Sequence, residues 1–517
     1  MIKFLKFLSL LLFVGIFLGV RLPRLGTESF NSDEVYWHDR SEDFLNALST
    51  KNYAKTFQKY HPGVPIMWEF TITSLITSKL QNTSVGNIFA NDEKLHMDVM
   101  LGLDIWLCVL AVCILLVLSK ALKNWWLALL CMVVLVVEPF YLGNSRLIHH
   151  DAQISLYVIL ALAIIYLNTK KFNFFQVVLA SLLLSLAALS KTLFIGAFVF
   201  SLFAGGLLTL LNQGFKKTIY FMVTLLVFSV GFYFALFPAL WVEPIQTLNK
   251  IFIQSRKVGE DDGHGQIFFG VPTKNPGPFF YPILFIIKNS LFLMIGFVIF
   301  VSSVIFKLVK WVLRKSSGKL KDIPFEIFAG IFYLGYFCVL QYFSKKVDRY
   351  VIPIYPFFAI GSVFGWAEFV KKRFYLAVIP LFLFVYSVAI PLYKLFPHYL
   401  LYNSPIYGDA SVGNEIIGQK LFGIGVFELR DKIIFRFGEK AKIGASDFEP
   451  LASIYKGGYV DNVLVAHPNS YNVMVLGPNK PFPPSMKNEP TIKFYKVDSV
   501  YINGLEFWRI YHKRVIH

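Results

Sequence analysis

Eleven apolar stretches of membrane-spanning length organise this chain. They run near residues 4–20, 95–118, 125–142, 151–168, 174–190, 193–211, 218–238, 281–306, 324–343, 350–368 and 374–393, lengths suited to crossing a hydrocarbon core as helices. The connectors between them alternate in character. Lys3 and Lys6, Lys120 and Lys123, Lys170 and Lys171, Lys216 and Lys217, the run from Lys307 to Lys321, and Lys371-Lys372-Arg373 fall on one side. By the positive-inside rule that side is the cytoplasm. The long segments 21–94 and 239–280 and the tail from about 394 fall on the other. The pattern predicts a mainly α, polytopic membrane protein of about eleven spans in the plasma membrane, its N-terminus cytoplasmic and its tail extracytoplasmic.

Two parts of the outer segments read differently from spans. Val64–Thr77 is apolar but short and interrupted by Glu69, which predicts a helix lying along the interface. The loop 239–280 holds Gly263-His264-Gly265 and prolines from Pro272 to Pro282, too many breakers for a spanning helix. Beyond 394 the pattern changes again. Ile416–Phe437 has a helical apolar period and Leu451–Tyr455 reads as a short helix, while Val460–Ala466, Asn472–Leu476, Thr491–Val497 and Glu506–Tyr511 read as strands bounded by Gly, Pro and Asn. The expected division is a membrane unit over 1–394, including the outer loops 21–94 and 239–280, and a small extracytoplasmic α/β domain over 395–517.

Composition agrees with this picture. Of the 517 residues 56% are hydrophobic and 17% aromatic, more apolar surface than a soluble protein of this length hides. A net charge of +18 suggests nucleic acid in a soluble protein. Here the cations cluster between apolar runs and report orientation instead, so nucleic acid is not an expected partner. Cys108, Cys113, Cys131 and Cys338 all lie inside apolar runs, which implies neither a disulfide framework nor a zinc site. Arg21-Leu-Pro-Arg24 follows the first span without a small-residue cleavage signal, so that span reads as a retained anchor.

The candidate chemistry starts at Asp33 and Glu34, adjacent carboxylates a dozen residues past the first span. Held near a bilayer surface they can act as a general base and a partner that tunes it; a solvated turn with Ser32 or Asp33 capping a short helix is the plain alternative. Cations in unexpected places come next. Arg146, Lys191, Arg256, Lys257, Lys345, Lys346 and Arg349 all map to the face where short loops should be poor in them, several at the depth of a lipid phosphate, with Asp348 the only acid near the last cluster in sequence. Asp151 reads as a helix N-cap, as a partner of Arg146, or both. His149 and His150 read as interfacial or as functional members of that loop, and His264 as a flexible ligand-approaching residue or a plain turn. Asp104 is an acid within the second span, a functional flag in general, for which a hydrogen bond to another helix is the simpler account.

Several segments then converge in order: Asn31-Ser-Asp33-Glu34-Val-Tyr-Trp37, Tyr60-His61-Pro-Gly-Val64, Glu138 to Arg146 followed by Asp151, Ser190-Lys191, His264 to Gly270, and Lys345 to Pro353. In this order they resemble the GT-C superfamily of polyprenyl-phosphate-dependent glycosyltransferases, most closely the protein O-mannosyltransferase and lipid A aminoarabinose transferase branch, over nearly all of residues 1–400. The resemblance implies transfer of a sugar, a hexose or pentose, with inversion, from a polyprenyl-phosphate-linked donor to an extracytoplasmic acceptor that is protein, lipid or glycan. It implies Asp33 as catalytic base, Glu34 as a neighbour shaping the acceptor site, and Arg146 and Asp151 as members of the same site. Donor-phosphate contacts would come from Arg146, Lys191, Lys346, Arg349 and His61, with Asp151 and His264 in support. Where the aminoarabinose transferases carry Glu-Lys-Pro, this chain has Tyr60-His61-Pro62. Loss of that glutamate puts a divalent metal in doubt, and no other cofactor is implied. The rival reading is a lipid-linked sugar flippase or secondary transporter, but broken helices and charges near the bilayer midplane, often in inverted repeats, the marks of such proteins, are not evident from the sequence.

Overall fold

The computed structural model describes residues 1–260, 265–313, 323–371, 373–489 and 491–515. Among these, nine helices are long and apolar enough to cross a membrane, from Ile2–Gly19 (α1) to Phe374–Lys394. They match nine of the eleven expected positions. The run expected at 125–142 is broken: Trp125–Val137 and Pro139–Ser145 meet at 68°. Pro139 has no N–H to continue the ladder, and the carboxylate of Glu138 instead accepts from the Ser290 backbone N–H (2.8 Å) and hydroxyl (2.7 Å). The remaining position is filled by Phe174–Ser190, apolar but only 17 residues long. The chain is a multi-pass membrane protein.

The helices are not equally enclosed. Of the spanning window of His150–Lys170, 94% is buried, and 83% of that of Asp348–Val370, against 11% of α1. The two enclosed helices pack together, and at their N-terminal ends Arg349 Nε lies 3.6 Å from Asp151. Charges carried in their first turns are therefore brought to one point at the end of the bundle that bears the long loops.

Two further helices build that end. Asn31 caps α2 (Ser32–Ser49) by accepting from the Glu34 N–H at 2.8 Å, and α2 packs on α3 (Val64–Gln81). The chain enters α3 through Gly63 at φ +60°, where a Cβ would fall 2.1 Å from the Trp37 ring; only glycine allows this approach. The loop between the spans carries a two-stranded ribbon, β1 (Gln266–Phe268) and β2 (Val271–Thr273).

The C-terminal part is a five-stranded sheet with helices. Strands β3 (Lys442–Ala445), β4 (Tyr459–Asn462), β5 (Val473–Leu476), β6 (Ile492–Ile502) and β7 (Leu505–Val515) lie in the order β4-β3-β5-β7-β6. The β3 pairings are parallel and the β7 pairings antiparallel. Strand β3 was not expected from the sequence, and of the helix expected over Ile416–Phe437 only Val426–Phe437 is helical, following a shorter helix, Ala410–Ile416, and a loop. The loop between them is held on both sides. Gly418 N–H donates to Ile267 O (2.9 Å) and Phe269 N–H to Ile416 O (2.8 Å) at the ribbon, while Gly425 N–H donates to Glu28 O (2.9 Å) and Ser29 Oγ to Phe422 O (2.7 Å) just before α2. Gly423, at φ +60°, passes so close that a Cβ would lie 1.8 Å from the Phe30 carbonyl oxygen. The left-handed turn breaks the helix that the apolar period alone suggests.

Candidate active site

A cleft of about 1350 Å³ opens between the start of α2, the starts of the two enclosed helices, the ribbon and the loop 417–425. Its described lining carries nine cations, Arg40, Lys59, Lys191, Arg256, Lys274, Lys345, Arg349, Lys420 and Lys480, against two acids, Asp33 and Asp447. Such a wall attracts anions, and its enclosure makes each charge worth more than in water.

Asp33 stands at the centre of a small network. Arg349 Nη2 donates to its Oδ2 at 2.7 Å, and His149 Nε2 lies 3.4 Å from the same oxygen. Both contacts use Oδ2, which leaves Oδ1 without an ion pair among the described residues. Burial pushes the Asp33 carboxyl up, but the Arg349 guanidinium and the His149 hydrogen bond outweigh it and hold the group well below the usual carboxylate range. Behind it Asp151, in the first turn of its helix, pairs with Lys191 and lies 3.6 Å from Arg349 Nε. His149 caps that helix and bridges the two acids, its Nδ1 3.0 Å from Asp151 Oδ2. Asp151 is thus neither the N-cap nor a partner of Arg146. Arg349 reaches both carboxylates, so Asp348 is not the only acid near the 345–349 cluster.

His61 lines the cleft edge-on to Tyr60 and Trp37. Burial, helped by Lys191 and Arg40, pushes its imidazole down to about 3, so at neutral pH it offers an N–H and not a charge. The neighbouring His150 is buried against Trp37, with neither ring nitrogen hydrogen-bonded among the described residues.

Three expected members lie elsewhere. Glu34 is buried and faces away from the cleft, paired with His96 and bonded by the Asn31 amide at 3.1 Å. It braces the start of α2 and is not a partner of Asp33. Arg146 is also buried, pairing with Glu28 and donating to the carbonyls of Val20, Arg21, Pro23 and Arg24. Its fork clamps the turn that leaves α1, with no N–H left for a ligand. Lys346 turns its ammonium onto the carbonyls of Leu340 (3.2 Å), Gln341 (3.0 Å) and Phe343 (3.0 Å), closing the end of Phe325–Tyr342. Asp104 faces Arg21 Nε at 3.6 Å, an ion pair where a simple hydrogen bond was expected. His264 lies outside the described residues, and among these no cluster of three or more His, Cys, Asp or Glu is arranged to hold a metal ion.

The sequence reading missed the contribution of the C-terminal part. Asp447 accepts from Ser32 Oγ (3.1 Å) and from Gly423 N–H (2.8 Å), and burial pushes its carboxyl up to about 6. Phe422 lies with its ring 4.8 Å from the Arg349 guanidinium carbon, a cation–π distance. The legible signal was the Gly418, Gly423 and Gly425 spacing, which marks a loop within the helical period.

No protein-family model and no curated protein sequence matches the chain. Solved structures do. ArnT from Cupriavidus metallidurans bound to undecaprenyl phosphate aligns over 97% of both chains with a TM-score of 0.52 at 12% identity. The apo state of the same protein gives 0.51 at the same identity and coverage. The Archaeoglobus fulgidus oligosaccharyltransferase in its apo form gives 0.47 at 12% identity, over 92% of this chain and 69% of that one. At these identities the ArnT likeness is one of fold, and it extends over nearly the whole of both chains.

Proposed function

We propose that the protein is a membrane glycosyltransferase that moves one sugar, a hexose or pentose, from a polyprenyl phosphate to a hydroxyl acceptor on the extracytoplasmic face, with inversion at the anomeric carbon. The observation that carries this reading is the carboxylate of Asp33, with one oxygen outside any ion pair among the described residues, in a cleft whose described lining carries nine cations. A phosphate leaves as a stable anion and needs no protonation, whereas glycoside hydrolysis calls on two carboxylates. One base and a cationic cradle meet the need.

The acceptor hydroxyl would hydrogen-bond Asp33 Oδ1 and attack the anomeric carbon from the face opposite the phosphate. As the new C–O bond forms and the bond to the phosphate oxygen breaks, the proton passes to Asp33. Arg349 and Lys191 hold the departing phosphate. Arg349 is shared, and as it turns from Asp33 to the donor it relieves the pairing that weakens Asp33 as a base. Asp151 and His149 keep the two cations and Asp33 in register. Further support for a lipid-phosphate donor comes from the shared fold with ArnT, which was solved with undecaprenyl phosphate. The proposed orientation, N-terminus cytoplasmic and residues 395–517 outside, follows the alternation of basic connectors.

The test is to incubate the purified protein with a panel of polyprenyl-phosphate sugars and candidate acceptors and to follow release of polyprenyl phosphate. Sugar-dependent release supports the reading. Movement of intact donor across a vesicle membrane without release would favour a flippase.

A further inference from the structure

The loop 417–425 belongs to the C-terminal part, yet it touches the charge network of the membrane part. Lys420 lines the cleft, and its ammonium is buried with no hydrogen-bond partner among the described residues. The nearest acid is Asp348, whose Oδ1 lies 3.8 Å away and already accepts from the Arg349 N–H at 2.9 Å. An ammonium carries three donors and no acceptor, and leaving it unmatched in a buried place is costly. At 3.8 Å the shared Asp348 makes an ion pair but no hydrogen bond, so the ammonium's N–H groups have no acceptor among the described residues. The loop is pinned to β1 on one side and to the Glu28–Ser29 backbone on the other, and two residues on, Phe422 packs on the Arg349 guanidinium.

We propose that Lys420 is a further donor-binding residue, whose ammonium holds the phosphate of the lipid-linked donor beside Arg349. This rests on the polyprenyl-phosphate reading above. It makes the C-terminal part a component of the donor site, whereas the sequence placed every expected donor contact within residues 1–394. A phosphate brings several acceptor oxygens, which would satisfy the stranded N–H groups. Burial pushes the Lys420 ammonium down to about 8, so near neutral pH most of it is charged, and an anion beside it favours that form further.

The experiment compares the full-length wild type, Lys420→Met and Lys420→Arg in lipid nanodiscs for binding of undecaprenyl phosphate, undecaprenol and inorganic phosphate. Wild type should prefer undecaprenyl phosphate over undecaprenol, with inorganic phosphate the weakest. Lys420→Met should lose about tenfold of the undecaprenyl phosphate affinity, equivalent to about 1.4 kcal/mol, and none of the undecaprenol affinity. Lys420→Arg should recover most of it. Unchanged undecaprenyl phosphate affinity in Lys420→Met, or an equal loss for both lipids, would overturn the proposal, the latter marking a purely structural lysine. Inorganic phosphate bound as tightly as the lipid would overturn it too, by assigning the site to free phosphate. If wild type itself does not prefer the phosphorylated lipid, the donor reading fails first. Should Lys420→Met not fold, Lys420→Gln measured on the same three probes decides in the same way.

Discussion

Two charge networks lie a few residues apart at the loop-bearing end of the bundle, and they are built to opposite ends. In one, Arg146 pairs with Glu28 and fills its remaining donors with four carbonyls, Arg21 faces Asp104, and Glu34 pairs with His96. In the other, Asp33, Arg349, Asp151 and Lys191 share contacts, and the carboxylate of Asp33 keeps one oxygen free toward a cleft rich in cations. In the first network Arg146 has spent every donor on Glu28 and backbone carbonyls, so it holds loops and helices together. The second has unspent bonding capacity and an opening, so it can exchange partners with a ligand. A charge in a surprising place is thus only half a signal; what it still has to offer is the other half.

The largest expected effect falls on the open network. Asp33→Asn keeps shape and removes basicity, so turnover should drop about 10²–10⁴-fold while binding of undecaprenyl phosphate changes little. A transfer assay alongside a binding isotherm separates the two.

The comparison sharpens when one arginine from each network is removed. Arg146→Ala leaves Glu28 buried without its partner, which should cost about 3–5 kcal/mol of stability, seen as a lower melting temperature, with donor affinity per folded molecule preserved. Arg349→Ala should do the reverse, costing about 10–100-fold in donor affinity, from the 1.5–3 kcal/mol of a charge-assisted hydrogen bond, with a smaller change in melting temperature. Matching phenotypes for the two would erase the distinction.

A pH experiment probes the same pairing more gently. In the folded protein Arg349 and His149 hold Asp33 below the ordinary carboxylate range, so the stability that this carboxylate contributes is fully present above about pH 4, the unfolded value, and is lost as pH falls through the lower folded value. The acid limb of kcat/KM should accordingly lie below about pH 4, and Arg349→Gln should shift it upward. An unmoved limb would mean that Arg349 does not govern Asp33.

The smallest effect is expected at Lys346. Lys346→Ala frees three carbonyls at a helix end, worth about 0.5–1.5 kcal/mol, and should leave donor affinity unaltered.

Much of the fold was legible because a bilayer imposes long apolar runs on any helix that crosses it. The bend at Glu138 and the 17-residue helix blurred the count without moving the positions. Asp151, Lys191 and Arg349 were legible as charges at span ends and Asp33 as an acid in the first outer segment, and the convergence of the first three follows from the two enclosed helices starting side by side. Glu34 was misjudged for a local reason. Once Ser32 begins a helix, consecutive residues point to different faces, so adjacency in sequence separates the two carboxylates. The role of Arg146 was illegible because its partner Glu28 is 118 residues away. Lys420 and Phe422 were hidden by an apolar period that ran straight through the Gly418–Gly425 break.

The stereochemistry of the product tests a single displacement driven by Asp33 most directly. With a polyprenyl-phosphate sugar of known anomeric configuration, NMR of the glycosylated acceptor should show the opposite anomer, accumulating in step with free polyprenyl phosphate and about 10²–10⁴-fold more slowly with Asp33→Asn. Retention of configuration, or product formed at the wild-type rate by a folded Asp33→Asn protein, would contradict a single displacement driven by Asp33.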